Sequence, residues 1–230
     1  MIIPAYNTIY SRVNTSGAAG PFEYTPIDNN YSMEFDGTNY IDTGLNLSFA
    51  SVPNFSISYW IKTDATLTNY NSYFAIAVNV TYNGGVYNYS AGRLYKGAAK
   101  LVVGAQGSTS EYGTTQLDDG NWHHITQVYT DNGDNTSRVI IYVDGNTTPE
   151  VDLANTLGYA PLTSDLFIGA RNALADRAFP GYVDEVAVWN TALSEGTIEA
   201  IYNTTNDNPG KVADLSETPE GVPVAWYRFE

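Results

Sequence analysis

The sequence predicts an all-β fold, a two-sheet antiparallel sandwich with one short helix, preceded by an extended N-terminal arm. Three observations carry this expectation. From Ser32 onward, short alternating apolar runs are separated by Gly, Asn and Asp, as half-buried strands joined by turns require. Only one stretch has helical spacing. The chain has 230 residues, 43% hydrophobic and 13% aromatic, which is enough apolar material for one large core or two small ones, and no cysteine to staple a smaller fold.

Residues 1–31 form the expected arm. Pro4, Pro21 and Pro26, the small-residue patch Ser16-Gly17-Ala18-Ala19-Gly20 and aromatics without period argue against regular structure there. Ile2, Ile3, Tyr6, Ile9, Tyr10, Phe22 and Tyr24 nevertheless give the arm more apolar surface than a free tail carries, so it should dock on its own sandwich or on a neighbouring subunit. Residues 32–230 form the expected sandwich domain.

Within it, Phe55 to Ile61 reads as a strand with Phe55, Ile57, Tyr59 and Ile61 on one face. Trp122 to Tyr129 and Val139 to Val143 are two more, joined by the turn-forming cluster Asp131 to Asn135. Val139 to Val143 then meets Asp144-Gly145, which predicts a tight hairpin in a meander. The helix is expected at Ser194 to Tyr202, with Ser194 as N-cap and Leu193, Thr197, Ile198 and Ile201 near one face. Asn208-Pro209-Gly210 ends it, and Val224 to Phe229 supplies a final strand.

The formal charge of -15 comes from 25 acidic against 10 scattered basic residues, so phosphate backbones and anionic membrane surfaces are not expected partners. No apolar run approaches the roughly 20 residues that span a bilayer. The first residues, MIIPAYNTIY, have neither the basic nor the apolar region of a secretory signal, so export by that route is not expected.

Residues able to do chemistry are few. His123 and His124 are adjacent on a predicted strand, and a period of two sends them to opposite faces, where they can neither chelate one ion nor act as one relay. No nucleophile motif or Gly-rich phosphate loop accompanies them. The chain is therefore not expected to be an enzyme. A ligand surface is expected in the tyrosine- and asparagine-rich stretch Asn69 to Tyr95, above all at Tyr70, Tyr82, Tyr87, Tyr89, Asn83 and Asn88, where stiff amphipathic rings alternate with adaptable amides. Such a pairing serves glycan platforms and protein-binding loops alike.

Four segments, in this order, resemble the laminin-G-like, concanavalin-A-like jelly-roll family of bacteria and phages. They are Ser32 to Gly37 with Tyr40-Ile41; Phe55 to Lys62; Asp119 to Ile125 with Ile141 to Gly145; and Phe179 to Ser194 leading into the helix. Together they span about residues 32–230, with 63–118 matching poorly. The resemblance implies a jelly roll. Glycosidases with this sandwich carry Glu-x-Asp-x-x-Glu on one strand. Here Glu34 and Asp36 fill the first two places, but Asn39 stands in the third, and the adjacent Asp184 and Glu185 should point to opposite faces, so catalysis is not implied.

A structural calcium ion is implied by the resemblance, with Asp36 and Asp184 as its ligands; the alternative is that Asp36 makes a turn with Gly37 and Asp184 caps loop amides. The implied function is a non-enzymatic phage virion surface protein, of capsid-decoration or fibre type. It would be anchored to other virion proteins through the arm, present in many copies or as a homo-oligomer, and exposed to host glycans. The alternative is an extracellular carbohydrate-binding module of a larger enzyme or adhesin.

Overall fold

The structure, a computed structural model, describes residues 22–48, 54–65, 72–82, 85–89, 93–95, 100–103, 111–133, 136–157, 163–171 and 177–229. In chain order its first strands are β1 (Pro26–Asp28), β2 (Met33–Asp36), β3 (Ile41–Ser48), β4 (Phe55–Lys62), β5 (Ser72–Phe74) and β6 (Ile76–Tyr82). Next come β7 (Gly85–Tyr89), β8 (Arg93–Tyr95), β9 (Lys100–Val103), β10 (Glu111–Tyr112), β11 (Trp122–Asp131) and β12 (Thr136–Val143). Then β13 (Val151–Leu157), β14 (Thr163–Ile168) and β15 (Pro180–Trp189) lead to helix α1 (Glu195–Asn206), followed by β16 (Lys211–Ala213) and β17 (Ala225–Tyr227).

A seven-stranded antiparallel sheet runs β13-β12-β11-β4-β15-β17, with β2 sharing the free side of β15. A four-stranded sheet, β3-β14-β6-β7, forms the second layer, and β10-β9-β8-β5 a smaller third one. Alternation decides what lies between them. Ile57, Tyr59 and Ile61 of β4, Ile125 and Tyr129 of β11, Ile141 of β12 and Val186 of β15 point inward to meet Ile76, Leu166 and Ile168 of the second layer. Phe55 and Tyr129, opposite each other in register, stack with ring centroids 4.1 Å apart. The β11-β12-β13 meander and the inward face of β4 are as the sequence predicts.

The outer face of the large sheet is also covered, which the alternation alone does not reveal. Helix α1 lies over it through Thr197, Ile198, Ala200 and Ile201, and Val128, Tyr142, Ala187 and Trp189 form the floor beneath. Strand β4 is therefore buried on both faces from Phe55 to Ile61. Its outward residues are small where backbone approaches: Ser56 Oγ donates to the Thr191 carbonyl at 2.9 Å and accepts from Leu193 N at 2.9 Å. Ser194 caps α1 as expected, accepting from Thr197 N, while the Glu220 carboxylate accepts from Ser194 N at 3.0 Å. Among the described residues no helix is long and apolar enough to cross a membrane.

Two expectations change. The boundary at residue 31 cuts through packed structure: β1 pairs with β16, Tyr24 is buried in the outer layer, and Thr25 N donates to Glu217 Oε2 at 2.8 Å. The described end of the arm thus belongs to its own sandwich; residues 1–21 lie outside the described residues. At Asp144-Gly145 both residues have positive φ (52° and 65°) and Asn146 N bonds the Val143 carbonyl at 3.1 Å, a turn of the hairpin type. Pairing with β12 resumes where Glu150 N donates to the Ile141 carbonyl at 2.9 Å and β13 begins at Val151, while the Glu150 carboxylate accepts from Thr114 N at 2.6 Å.

Candidate functional site

The outer face is covered along most of its length and open at one end. Register places Trp122 of β11 opposite Lys62 of β4, and Lys62 opposite Tyr182 of β15, so the three side chains share that face on adjacent strands. The next row inward is His124, Trp60 and Asp184. Tyr202 of α1 stacks over Trp60 at 5.8 Å and 14°, closing that row. The row of Trp122, Lys62 and Tyr182 lies beyond this cover. Trp122 is 38% and Tyr182 37% exposed, with centroids 6.4 Å apart at 58°. The result is a shelf: two amphipathic rings on rigid strands, with the half-buried Lys62 between them and Glu34 opposite Tyr182 on the outer side.

Behind the shelf lies a buried pair of carboxylates. Asp184 and Glu185 are 7% and 4% exposed. Adjacent residues of a regular strand face opposite ways, but the register against β4 slips between Asp184 and Ala187, and Glu185 has φ of 50°. This β-bulge turns Glu185 outward beside Asp184, correcting the expected opposition. Asn29 Nδ2 donates to both, at 2.8 Å to Asp184 and 3.3 Å to Glu185. Trp226 Nε1 donates to Glu185 at 2.6 Å, and Arg228 Nε lies 3.4 Å from it. Burial, with the Asp184 charge adding to it, pushes the Glu185 carboxyl up to about 8 against the opposing pull of Arg228 and Trp226. A cavity of about 10 Å³ beside it, lined by Ser58, Trp60, Glu185 and Thr205 among others, has room for about one water.

The histidines part as expected. His123 is held between Asp144 Oδ2 at 2.8 Å and Asp119 Oδ1 at 3.1 Å. Burial opposes its charge, but these two carboxylates outweigh it and raise its pKa. His124 turns to the outer face, where Nε2 meets Ser58 Oγ at 2.7 Å and burial pushes its pKa down to about 4. The Ser58–His124 pair is buried, with Trp60 and Tyr202 packed against the imidazole.

The sequence-predicted residues are dispersed. Tyr70 and Asn83 lie outside the described residues. Tyr82 ends β6, and Tyr87, Asn88 and Tyr89 belong to β7, the edge strand of the second sheet, paired with Val80, Asn79 and Val78. That hairpin belongs to a different sheet from the shelf. Asp36 is exposed and makes the turn foreseen as its alternative, accepting from Thr38 N at 2.8 Å and Asn39 N at 3.2 Å. In the ladder it faces Pro180, four residues from Asp184, or about 13 Å along the strand. Calcium holds its oxygens at about 2.3–2.6 Å, so this backbone does not bring Asp36 and Asp184 to one ion. No group of three or more His, Cys, Asp or Glu able to hold a metal occurs among the described residues.

Comparison with known proteins decides the family. A family described as the concanavalin A-like lectin/glucanases superfamily matches residues 35–199. The chain belongs to that superfamily. No curated protein matches it in sequence. Among solved structures, this lectin-like chain is similar to the heptameric SAP-like pentraxin of Limulus polyphemus, with a TM-score of 0.52 and 15% identity over 84% of this chain and 89% of that one. It is similar to domain 4 of the extracellular arabinanase AbnA from Geobacillus stearothermophilus, solved with arabinotriose, with a TM-score of 0.50 and 18% identity over 77% and 80%. A putative carbohydrate-binding protein of Bacteroides ovatus gives a TM-score of 0.50 and 16% identity over 91% of this chain; the alignment spans about half, 53%, of that protein. At these identities the likeness shows the fold, a jelly-roll sandwich of the superfamily.

Sequence reading of this superfamily member passed over the shelf. Trp122, Lys62 and Tyr182 are 60 residues apart at each step, and only strand pairing assembles them. One local signal was present: Lys62 is the charged last residue of β4 and follows Trp60 on the outward face, at the point where the cover ends.

Proposed function

We propose that this chain is a non-catalytic carbohydrate-binding module that takes a sugar on the Trp122–Tyr182 shelf. The observation that carries the reading is the pair of half-exposed rings at an open end of a covered sheet face, fixed by strand pairing before any ligand arrives. A pyranose has an apolar C–H face and a polar rim. Aromatic rings cover the first, and polar groups beside them meet the second. The lectin/glucanases superfamily, the description of the Bacteroides protein as a putative carbohydrate binding protein and the arabinotriose complex of the Geobacillus domain support the same chemistry. Binding without turnover is supported by the lack of a second free carboxylate beside the exposed Glu34 among the candidate carboxylates: Asp36 is spent on its turn, and Asp184 and Glu185 are buried beneath the surface.

A single small shelf binds weakly, so function would come from many copies acting together. Display on a virion or in the extracellular medium both supply that setting. To test the virion anchor, residues 2–21 should be deleted and not 2–30, because the longer deletion removes Tyr24, β1 and Asn29 from the packed fold. The reading itself is tested on a glycan array probed with the chain tetramerised through a C-terminal tag. The expected result is a set of bound glycans that disappears in Trp122→Ala and Tyr182→Ala variants with unchanged melting temperatures. An array blank for the tetramer, or hits untouched by both changes, would overturn it.

A further inference from the structure

We infer that the shelf selects saccharides bearing a carboxylate, such as uronates or sialates, through the ammonium group of Lys62; the inference rests on the glycan reading above. In a chain with 25 acidic and 10 basic residues, a cation ordinarily finds a carboxylate. Arg138 does so at 2.6 Å from Asp152, Lys211 at 2.6 Å from Asp28, and Arg228 at 3.4 Å from Glu185. Lys62 enters no ion pair among the described residues.

Two of the acidic groups near it are engaged elsewhere. Asp184, one row inward, accepts from Asn29, and Asp119 accepts from Asn121 N and faces His123. Glu34 lies opposite Tyr182, two strands from Lys62 and so about 10 Å away across the sheet.

Position makes this charge useful. Trp122 and Tyr182 flank Lys62 on the two neighbouring strands, each about 4.8 Å away across the sheet. A sugar ring stacked on either aromatic therefore carries a ring carboxylate to within reach of the four-carbon side chain of the half-buried Lys62. Such a charge-assisted hydrogen bond is stronger than one to a hydroxyl, and it discriminates the acid from its neutral alcohol. The net charge of -15 opposes approach of an anion, but at physiological salt that field is screened beyond about 8 Å, whereas contact with Lys62 is not.

The experiment uses matched pairs: oligogalacturonate with its carboxyl-reduced galactan, oligoglucuronate with its reduced glucan, and sialyllactose with carboxyl-reduced sialyllactose. Affinities of the full chain are measured by calorimetry at 150 mM salt. The inference predicts that at least one acid binds about tenfold or more tighter than its neutral partner. Lys62→Met should bring that pair to within about twofold, while Lys62→Arg, which keeps the charge, retains most of the preference. Equal or tighter binding of the neutral members, or a preference that survives Lys62→Met, overturns the acid selectivity and leaves the glycan reading standing. Failure of every pair, together with a blank array, overturns both.

Discussion

Asn29 donates its side-chain amide to two consecutive residues of one strand, Asp184 at 2.8 Å and Glu185 at 3.3 Å. Only a bulge allows this, and it places the N-terminal segment, the late β15 strand and the C-terminal Trp226 and Arg228 around one buried carboxyl. Glu185 keeps its proton in the fold up to about pH 8, whereas the unfolded chain releases it near the ordinary value of 4.5. Between those values the unfolded state binds fewer protons, so stability falls as pH rises, by an amount on the order of 3 kcal/mol. Urea unfolding at pH 5 and pH 8 should show the loss, and Glu185→Gln should flatten it. A pH dependence of stability left unchanged by Glu185→Gln would show that Glu185 is ionised throughout.

His124 imposes the opposite slope. Its folded pKa of about 4 lies below the ordinary 6.5, so the unfolded chain takes up a proton first as pH falls, and stability is lost between about 6.5 and about 4. From about 4.5 to 6.5 the two groups oppose each other, which predicts a plateau of stability there. Histidine-ring NMR gives the direct check. His123, flanked by Asp144 and Asp119, should titrate above the usual value, and His124 should stay neutral to below pH 5. Two histidines titrating together near 6.5 would contradict the burial of His124.

Gly169 has φ of 85°, and a Cβ there would lie 2.1 Å from the Phe35 ring. Phe35 belongs to the inner core and cannot yield without opening it. Gly169→Ala should therefore cost about 3 kcal/mol or more, from overpacking added to an unfavourable backbone conformation. Chemical denaturation measures this directly, and a loss below about 1 kcal/mol would mean that Phe35 is not seated as described.

Asp36 carries a turn through Thr38 and Asn39 and stands apart from Asp184 in the ladder. Asp36→Ala should lower the melting temperature slightly, through loss of the side-chain bonds that hold this turn. The cost should be the same in millimolar calcium and in chelator, read as the shift in melting temperature. A calcium-dependent difference would mean that Asp36 reaches an ion despite the register.

Much of the sandwich was legible because it follows from local pattern. The alternation of Phe55, Ile57, Tyr59 and Ile61 fixes an inner face, and Ser194 ahead of Thr197, Ile198 and Ile201 fixes the start and buried side of α1. The site was not legible in the same way. Nothing in the run Asp184-Glu185-Val186 marks the bulge that reverses Glu185, since a bulge is set by pairing with β4. Tyr24 and Asn29 read as part of an irregular arm because their partners, Trp189, Leu215 and Asp184, lie far along the chain. The tyrosine-rich stretch drew attention by composition, whereas the shelf holds one tryptophan and one tyrosine whose meaning comes from being uncovered together.

The most direct test of the central claim is a calorimetric titration of the strongest array glycan into three proteins: the parent chain, the Trp122→Ala/Tyr182→Ala double variant, and a Tyr87→Ala/Tyr89→Ala variant of the β6–β7 hairpin. The shelf account predicts that binding is lost in the first variant and kept within about twofold in the second, with both as folded as the parent. Binding that survives loss of Trp122 and Tyr182 but fails without Tyr87 and Tyr89 would contradict it and move the site to the edge of the second sheet.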